Sequence, residues 1–132
     1  MKQYVYPSIF TPEADGRYSV LFPDLHGCYT CGNDLADAIF MAQDVLAFTL
    51  FDLESHGCRI PEPSAKEAIE LKDGEFVNYI VCDTLEYSKM HSKKAVKKTL
   101  TIPEWLNNEA EKQNINFSGV LQDALQQKLG IA

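Results

Sequence analysis

Cys28 and Cys31 stand three residues apart, with His26 just before them and His56 and Cys58 further along the chain. Thiols and imidazoles in such spacing are the raw material of a zinc site or a redox disulfide. A redox pair usually opens a helix, whose dipole lowers the thiol pKa. Here both sulfurs fall on a predicted strand, where residues three apart point to opposite faces, and no second pair at ligand spacing follows. Cys28, Cys31, Cys58 and Cys82 therefore read as small apolar residues rather than ligands or disulfide partners. His26, His56 and His91 have no serine or cysteine partner indicated, and no glycine-rich phosphate loop is present. The expectation is a protein with no catalytic centre, metal or cofactor.

A second group of residues is cationic. Lys93, Lys94, Lys97 and Lys98 fall within residues 91–102, which contain no acid. The net charge of −7 hides a division. Residues 1–90 hold six Lys and Arg against fifteen Asp and Glu, a net −9, whereas residues 91–132 hold six Lys against four acids, a net +2. An acidic body with a local basic strip suggests two partners of opposite sign. At 132 residues and 45% hydrophobic, the chain can bury a real core and hold one domain with a smaller appended module. No apolar run reaches the roughly 18 residues of a membrane helix, and no signal-like region precedes the first strand-like segment. The expected compartment is the cytoplasm.

The elements that must position these groups begin with Tyr4–Thr11, an aromatic and β-branched strand in which Pro7 argues for an edge or a bulge. A turn at Pro12–Gly16 leads to a second strand, Tyr18–Phe22, and the turn at Pro23–Gly27 leads to a third, Cys28–Cys31. Asn33 or Asp34 caps a long helix with Asp37 in its first turn, and Gly57 ends it. Leu35, Ile39, Ala42, Leu46, Leu50 and Leu53 form its apolar stripe. Phe40, Phe48 and Phe51 lie off that stripe and call for burial against a loop or another subunit. Arg59–Ser64 should be extended before its prolines, residues 65–72 form a short helix, and Phe76–Cys82 is a fourth strand. The polar stretch 84–94 reads as a hinge.

Beyond the hinge, Val96–Ile102 alternates, and Pro103 suits the first turn of a helix. Val96, Leu100 and Ile102 face a core, shared by Lys98, while Lys97, Thr99 and Thr101 face the other way. Leu106 and Ala110 continue that core on a first helix. Asn116 caps a second, which carries Val120, Leu121, Ala124, Leu125 and Leu129. One strand and two short helices cannot bury their own faces, but two copies can, by pairing the strands into an antiparallel ribbon. Such a ribbon fits a DNA major groove, with Lys97, Thr99 and Thr101 meeting base edges. Lys93 and Lys94, with the backbone N–H groups of Phe117 and Ser118, would hold phosphates. This is ribbon-helix-helix organisation over residues 91–132, a homodimer by construction.

Two stretches together resemble the HicB-type antitoxins of bacterial HicA/HicB toxin–antitoxin pairs. One is Phe22-Pro23-Asp24-Leu25-His26-Gly27-Cys28-Tyr29-Thr30-Cys31-Gly32, followed by the long helix and Ile60-Pro61-Glu62-Pro63-Ser64. The other is Thr99-Leu100-Thr101-Ile102-Pro103-Glu104-Trp105-Leu106 with Ser118-Gly119-Val120-Leu121. The resemblance implies an α+β chain. Residues 1–90 would be a partial ribonuclease-H-like domain, an antiparallel sheet with a long helix, that masks a HicA-type mRNA-cleaving toxin. Residues 91–132 would bind the operon's own operator DNA and repress it. An RNA-cleaving partner needs a basic surface, which an acidic body can occupy; the accessible acids near turns are Glu13, Asp15 and Asp24. Ribonuclease-H-like chemistry needs carboxylates converging on two metal ions. Asp24, Asp34 and Asp37 are close in sequence, but capping explains Asp34 and Asp37, so no enzyme is expected. If the N-terminal domains also pair, through the off-stripe phenylalanines, the dimer becomes a tetramer. The rival class is a stand-alone ribbon-helix-helix transcription factor whose N-terminal domain senses a ligand or oligomerises.

Overall fold

The N-terminal alternation builds a four-stranded antiparallel sheet from β1 (Gln3–Pro12), β2 (Tyr18–Leu21), β3 (Tyr29–Gly32) and β4 (Phe76–Asp83), in the order β3-β2-β1-β4. The computed structural model describes residues 3–92 and 94–131. Four helices complete it: α1 (Leu35–Ser55), α2 (Thr84–His91), α3 (Glu104–Lys112) and α4 (Phe117–Leu129). The chain divides into two units, one reaching Lys94 and the other starting at Ala95. The class is α+β.

β1 lies inside the sheet, not at its edge as Pro7 suggested. It pairs with β4 from Gln3 to Phe10 but with β2 only from Ile9 to Pro12. At Pro7 a single side is laddered, which is the local edge condition that proline tolerates. The β1–β2 turn closes through a bond from the Glu13 N–H to the Arg17 carbonyl (2.8 Å), with Gly16 at φ +86°.

Strand pleating puts Tyr6 and Phe10 of β1, Val20 of β2, and Ile80 and Cys82 of β4 on the face covered by α1. The helix answers with Ala38, Ala42, Leu46, Ala47 and Leu50, and Phe22, Leu25 and Cys28 close the end of the core. This line differs from the expected stripe at the start of the helix, where Leu35 and Ile39 are exposed and Ala38 is buried. Close approach is the reason: a Cβ on Gly32 would lie 2.2 Å from the Ala38 nitrogen and 2.8 Å from the Asp37 carbonyl carbon. Only a bare backbone lets β3 touch the first turn of α1, and small side chains follow it along the contact. Asp34 caps the helix, its carboxylate accepting the Asp37 N–H at 2.8 Å, while Asp37 accepts the Asn33 N–H at 2.8 Å.

The stretch 84–94 is not a simple hinge, because α2 occupies most of it. Asp83 caps α2 by accepting the N–H groups of Leu85 (2.9 Å) and Glu86 (3.2 Å). Tyr87 then packs on Phe51 with ring centroids 5.4 Å apart. Phe51 thus finds its second-face partner inside the chain, while Phe40 and Phe48 stay exposed. Residues 65–72 contain only a single 3-10 turn, Lys66–Ala68.

In the single chain the expected strand at 96–102 has no ladder. Residues 94–103 contain no helix, turn, bend or laddered strand, because a strand exists only through a partner's hydrogen bonds. Pro103 sits at the N-cap of α3, one residue before its first turn. Asn116 caps α4 as expected, its side chain accepting the Gly119 N–H at 3.2 Å.

Gly32→Ala should cost about 2–3 kcal/mol through overpacking, lowering the thermal midpoint by about 10 °C or more. A melt within a few degrees of the parent would contradict the close approach. The cysteines divide as well: Cys28 and Cys82 are buried, Cys31 and Cys58 exposed. Burial, then the negative charges of Asp83 and Glu54, pushes the Cys82 thiol up to about 12, and burial raises Cys28 despite the hydroxyl of Thr49 donating to its sulfur. Thiol titration of the native protein at neutral pH should therefore show two fast groups, with the other two reacting only on unfolding.

Candidate nucleic-acid and partner interfaces

In the unit from Ala95 onward, alternation and helix capping leave apolar side chains with nothing to cover them. None of its described residues is buried. Val96, Leu100, Ile102, Trp105, Leu106, Phe117, Val120, Leu125 and Leu129 are all 42–74% exposed. Leu100 and Ile102, with Lys98, line an open groove of about 480 Å³ with Phe117, Val120, Leu121 and Ala124 of α4. Of the residues expected to face inward, Lys98, Leu100, Ile102, Val120, Leu121 and Ala124 line this hollow, and Val96, Leu106, Ala110, Leu125 and Leu129 do not. Lys97, Thr99 and Thr101 are exposed and take no part in lining it. Lys94 is exposed too, whereas Lys93 lies outside the described residues.

Phe117 and Ser118 open α4. Asn116 satisfies the N–H groups of Gly119 and Val120, and helix geometry leaves those of Phe117 and Ser118 without intrahelical acceptors. Ser118 lines the same groove as Leu100 and Ile102. Trp105 is 67% exposed.

The acids singled out in the first unit have different fates. Asp24 is half-buried and engaged: one oxygen accepts the Ser64 N–H at 3.0 Å and the other accepts the Ser64 hydroxyl. Together with the Tyr6 hydroxyl, which donates to the Pro61 carbonyl, it straps residues 60–64 to the sheet. Glu13 and Asp15 are exposed. Glu13 accepts the Ser19 hydroxyl at 2.8 Å, Asp15 accepts the Arg17 N–H at 3.2 Å, and both line a hollow with Arg17. The structure brings Glu13 and Asp15 together and keeps Asp24 apart. Among the described residues no group of three or more His, Cys, Asp or Glu could hold a metal ion, and no helix is long and apolar enough to cross a membrane.

A further surface escaped the sequence reading. α1 and α2 enclose a groove of about 350 Å³, lined by Phe40, Asp44 and Ala47 on one side and Glu86, Tyr87 and Met90 on the other. Burial, then the charge of Asp44, raises the Tyr87 phenol above its ordinary pKa. Asp83-x-x-Glu86, a capping-box spacing, was the available signal for α2.

With this geometry in hand, similarity to known proteins is informative. Residues 6–125 match the family described as the HicB-like antitoxin of bacterial toxin–antitoxin system. The UPF0150 protein Ta0767 of Thermoplasma acidophilum is 32% identical over 62 residues, covering 47% of this chain and 90% of that protein. Among solved structures, a chain of a toxin–antitoxin complex from Streptococcus pneumoniae is 28% identical at a TM-score of 0.63, covering 96% of this chain and 99% of that one. The antitoxin HicB3 crystal structure is 26% identical at a TM-score of 0.51, covering 98% and 99%. The family match runs from β1 into α4 and so takes in both units: the chain belongs to the HicB-like antitoxin family of bacterial toxin–antitoxin systems.

Proposed function

We propose that this protein is an antitoxin and autorepressor. Its sheet unit sequesters a HicA-type mRNA-cleaving toxin by masking the toxin's active surface, and its C-terminal units pair as a ribbon-helix-helix dimer on operator DNA. One observation carries the dimeric half: ten large apolar side chains stand exposed in a unit with no buried described residue. A second copy supplies both missing things, a ladder partner for residues 96–102 and apolar neighbours for α3 and α4. Burying each such side chain is worth about 1.5–3 kcal/mol, so the pairing is strongly favoured.

On the paired ribbon, Lys97, Thr99 and Thr101 read base edges, while Lys94 and Lys93 and the N–H groups of Phe117 and Ser118 hold phosphates. The toxin half is supported by family membership, by the likeness to a toxin–antitoxin complex, and by the net −9 of residues 1–90. A surface that binds RNA must be basic, and an acidic body can take the RNA's place on it. Glu13 and Asp15 are offered as toxin contacts; Asp24 we assign to the strap at Ser64. The masking is steric and electrostatic, with no catalytic step. The partial ribonuclease-H-like character of the sheet unit belongs to the same proposal, supported by the β1–β2–β3 meander followed by α1.

Two experiments test these halves separately. In a gel shift with DNA from upstream of its own operon, Lys97→Ala/Thr99→Ala should lose the retarded band, each contact being worth about 1–3 kcal/mol, while the oligomeric mass stays that of the parent. Unchanged retardation would remove these residues from the DNA face. Co-expression with a HicA-type toxin should restore growth that the toxin alone arrests. Persistent arrest would end the antitoxin reading.

A further inference from the structure

We infer that the groove between α1 and α2 is where the sheet unit grips its basic partner: an apolar side chain of the toxin seats between Phe40 and Met90, and flanking Lys or Arg side chains meet Asp44, Asp83 and Glu86. This rests on the antitoxin reading above and adds the surface it uses.

Shape, rigidity and charge coincide at this place. Phe40 and Met90 are 68% and 70% exposed yet line the same hollow, which leaves a large apolar surface to be covered. The walls are held in place without a ligand. Gln43 on α1 donates to the Val81 carbonyl of β4 at 2.9 Å, and the ring of His91 stacks on Tyr87 at 4.0 Å, which in turn packs on Phe51. A preformed groove loses little entropy on binding. Its rim carries three carboxylates and no lysine or arginine. Lys89 bridges Glu86 at 3.1 Å in an exposed pair that an incoming cation can replace. An apolar floor between acidic walls is the complement of a basic segment with an apolar anchor.

The competing surfaces of the same unit lack that combination. On the sheet face away from α1, Val5, Leu21, Tyr29, Tyr79 and Val81 are 46–68% exposed. Among the described residues the one charged side chain sharing that face in the strand register is Asp83, at its end opposite Gln3 and engaged in capping α2, so basic groups laid on the rest of it would be desolvated without partners. The hollow at Glu13 and Asp15, the acids offered above as toxin contacts, also holds Arg17 and no exposed large apolar side chain, so it adds charge but no anchor.

The test uses the full-length protein and the toxin purified from their co-expressed complex, with binding followed by calorimetry. Phe40→Ser/Met90→Ser and, separately, Asp44→Lys should each weaken binding by at least about tenfold, and Asp44→Lys should also flatten the salt dependence. Phe48→Ser, an exposed position on α1 outside the groove, should bind as the parent does. Helix content by circular dichroism checks that each variant is folded. Groove variants that bind within about threefold of the parent, or an equal loss in Phe48→Ser, would overturn the groove. A parent protein that binds no toxin at all would instead overturn the antitoxin reading beneath it.

Discussion

The C-terminal unit carries a row of apolar side chains that its own residues cannot cover. Val96, Leu100 and Ile102 precede α3, Leu106 lies on it, and Val120, Leu125 and Leu129 lie on α4. A segment of this length has too little volume to surround them. Their burial and the ladder missing from residues 96–102 are therefore one problem, which a second copy of the same segment would solve at once. In the dimer we propose, DNA recognition is a consequence of folding. The basic strip becomes a two-stranded surface only when Leu100 and Ile102 are turned inward against a partner, which leaves Lys97, Thr99 and Thr101 outward.

The sheet unit solves its own packing without help. β3 passes directly into α1, and the bare backbone of Gly32 lets the helix start in contact with the strand it has just left. Alanines at 38 and 42 keep the helix close, and Tyr6 and Phe10 fill the space beyond them. This leaves the flank of α1 that carries Phe40 and Asp44 free of the sheet, and α2 settles beside it through Tyr87 and Phe51. Segregating charge, with −9 up to residue 90 and +2 after it, suits one chain to two partners of opposite sign. In the proposed function those are a basic toxin and a polyanionic operator.

Much of this was legible from residue types. Alternation marked the strands, Asp34 and Asn116 announced their helices as caps, and Gly16 and Gly57 took the positive φ that their turns require. What could not be read depended on contacts distant in sequence. α2 has little periodicity of its own, and its place depends on Phe51, thirty-six residues before Tyr87. The buried line of α1 is shifted at its start because Gly32 allows a closeness that spacing alone does not reveal. Asp24 looked like a free acid at a turn, but Ser64, forty residues away, takes both its oxygens. The strand at 96–102 reads clearly in the sequence yet has no ladder in one chain; in the dimer we propose, its hydrogen bonds belong to the assembly.

That last point is open to direct measurement. Hydrogen exchange of the full-length protein, followed residue by residue alongside its mass in solution, reports on residues 96–102 without any assumption about DNA or toxin. Strand pairing between two copies predicts amides in this stretch protected nearly as well as those of α4, in a particle of at least twice the 14.9 kDa chain mass. Free exchange of those amides, or a 14.9 kDa particle at all concentrations, would contradict it.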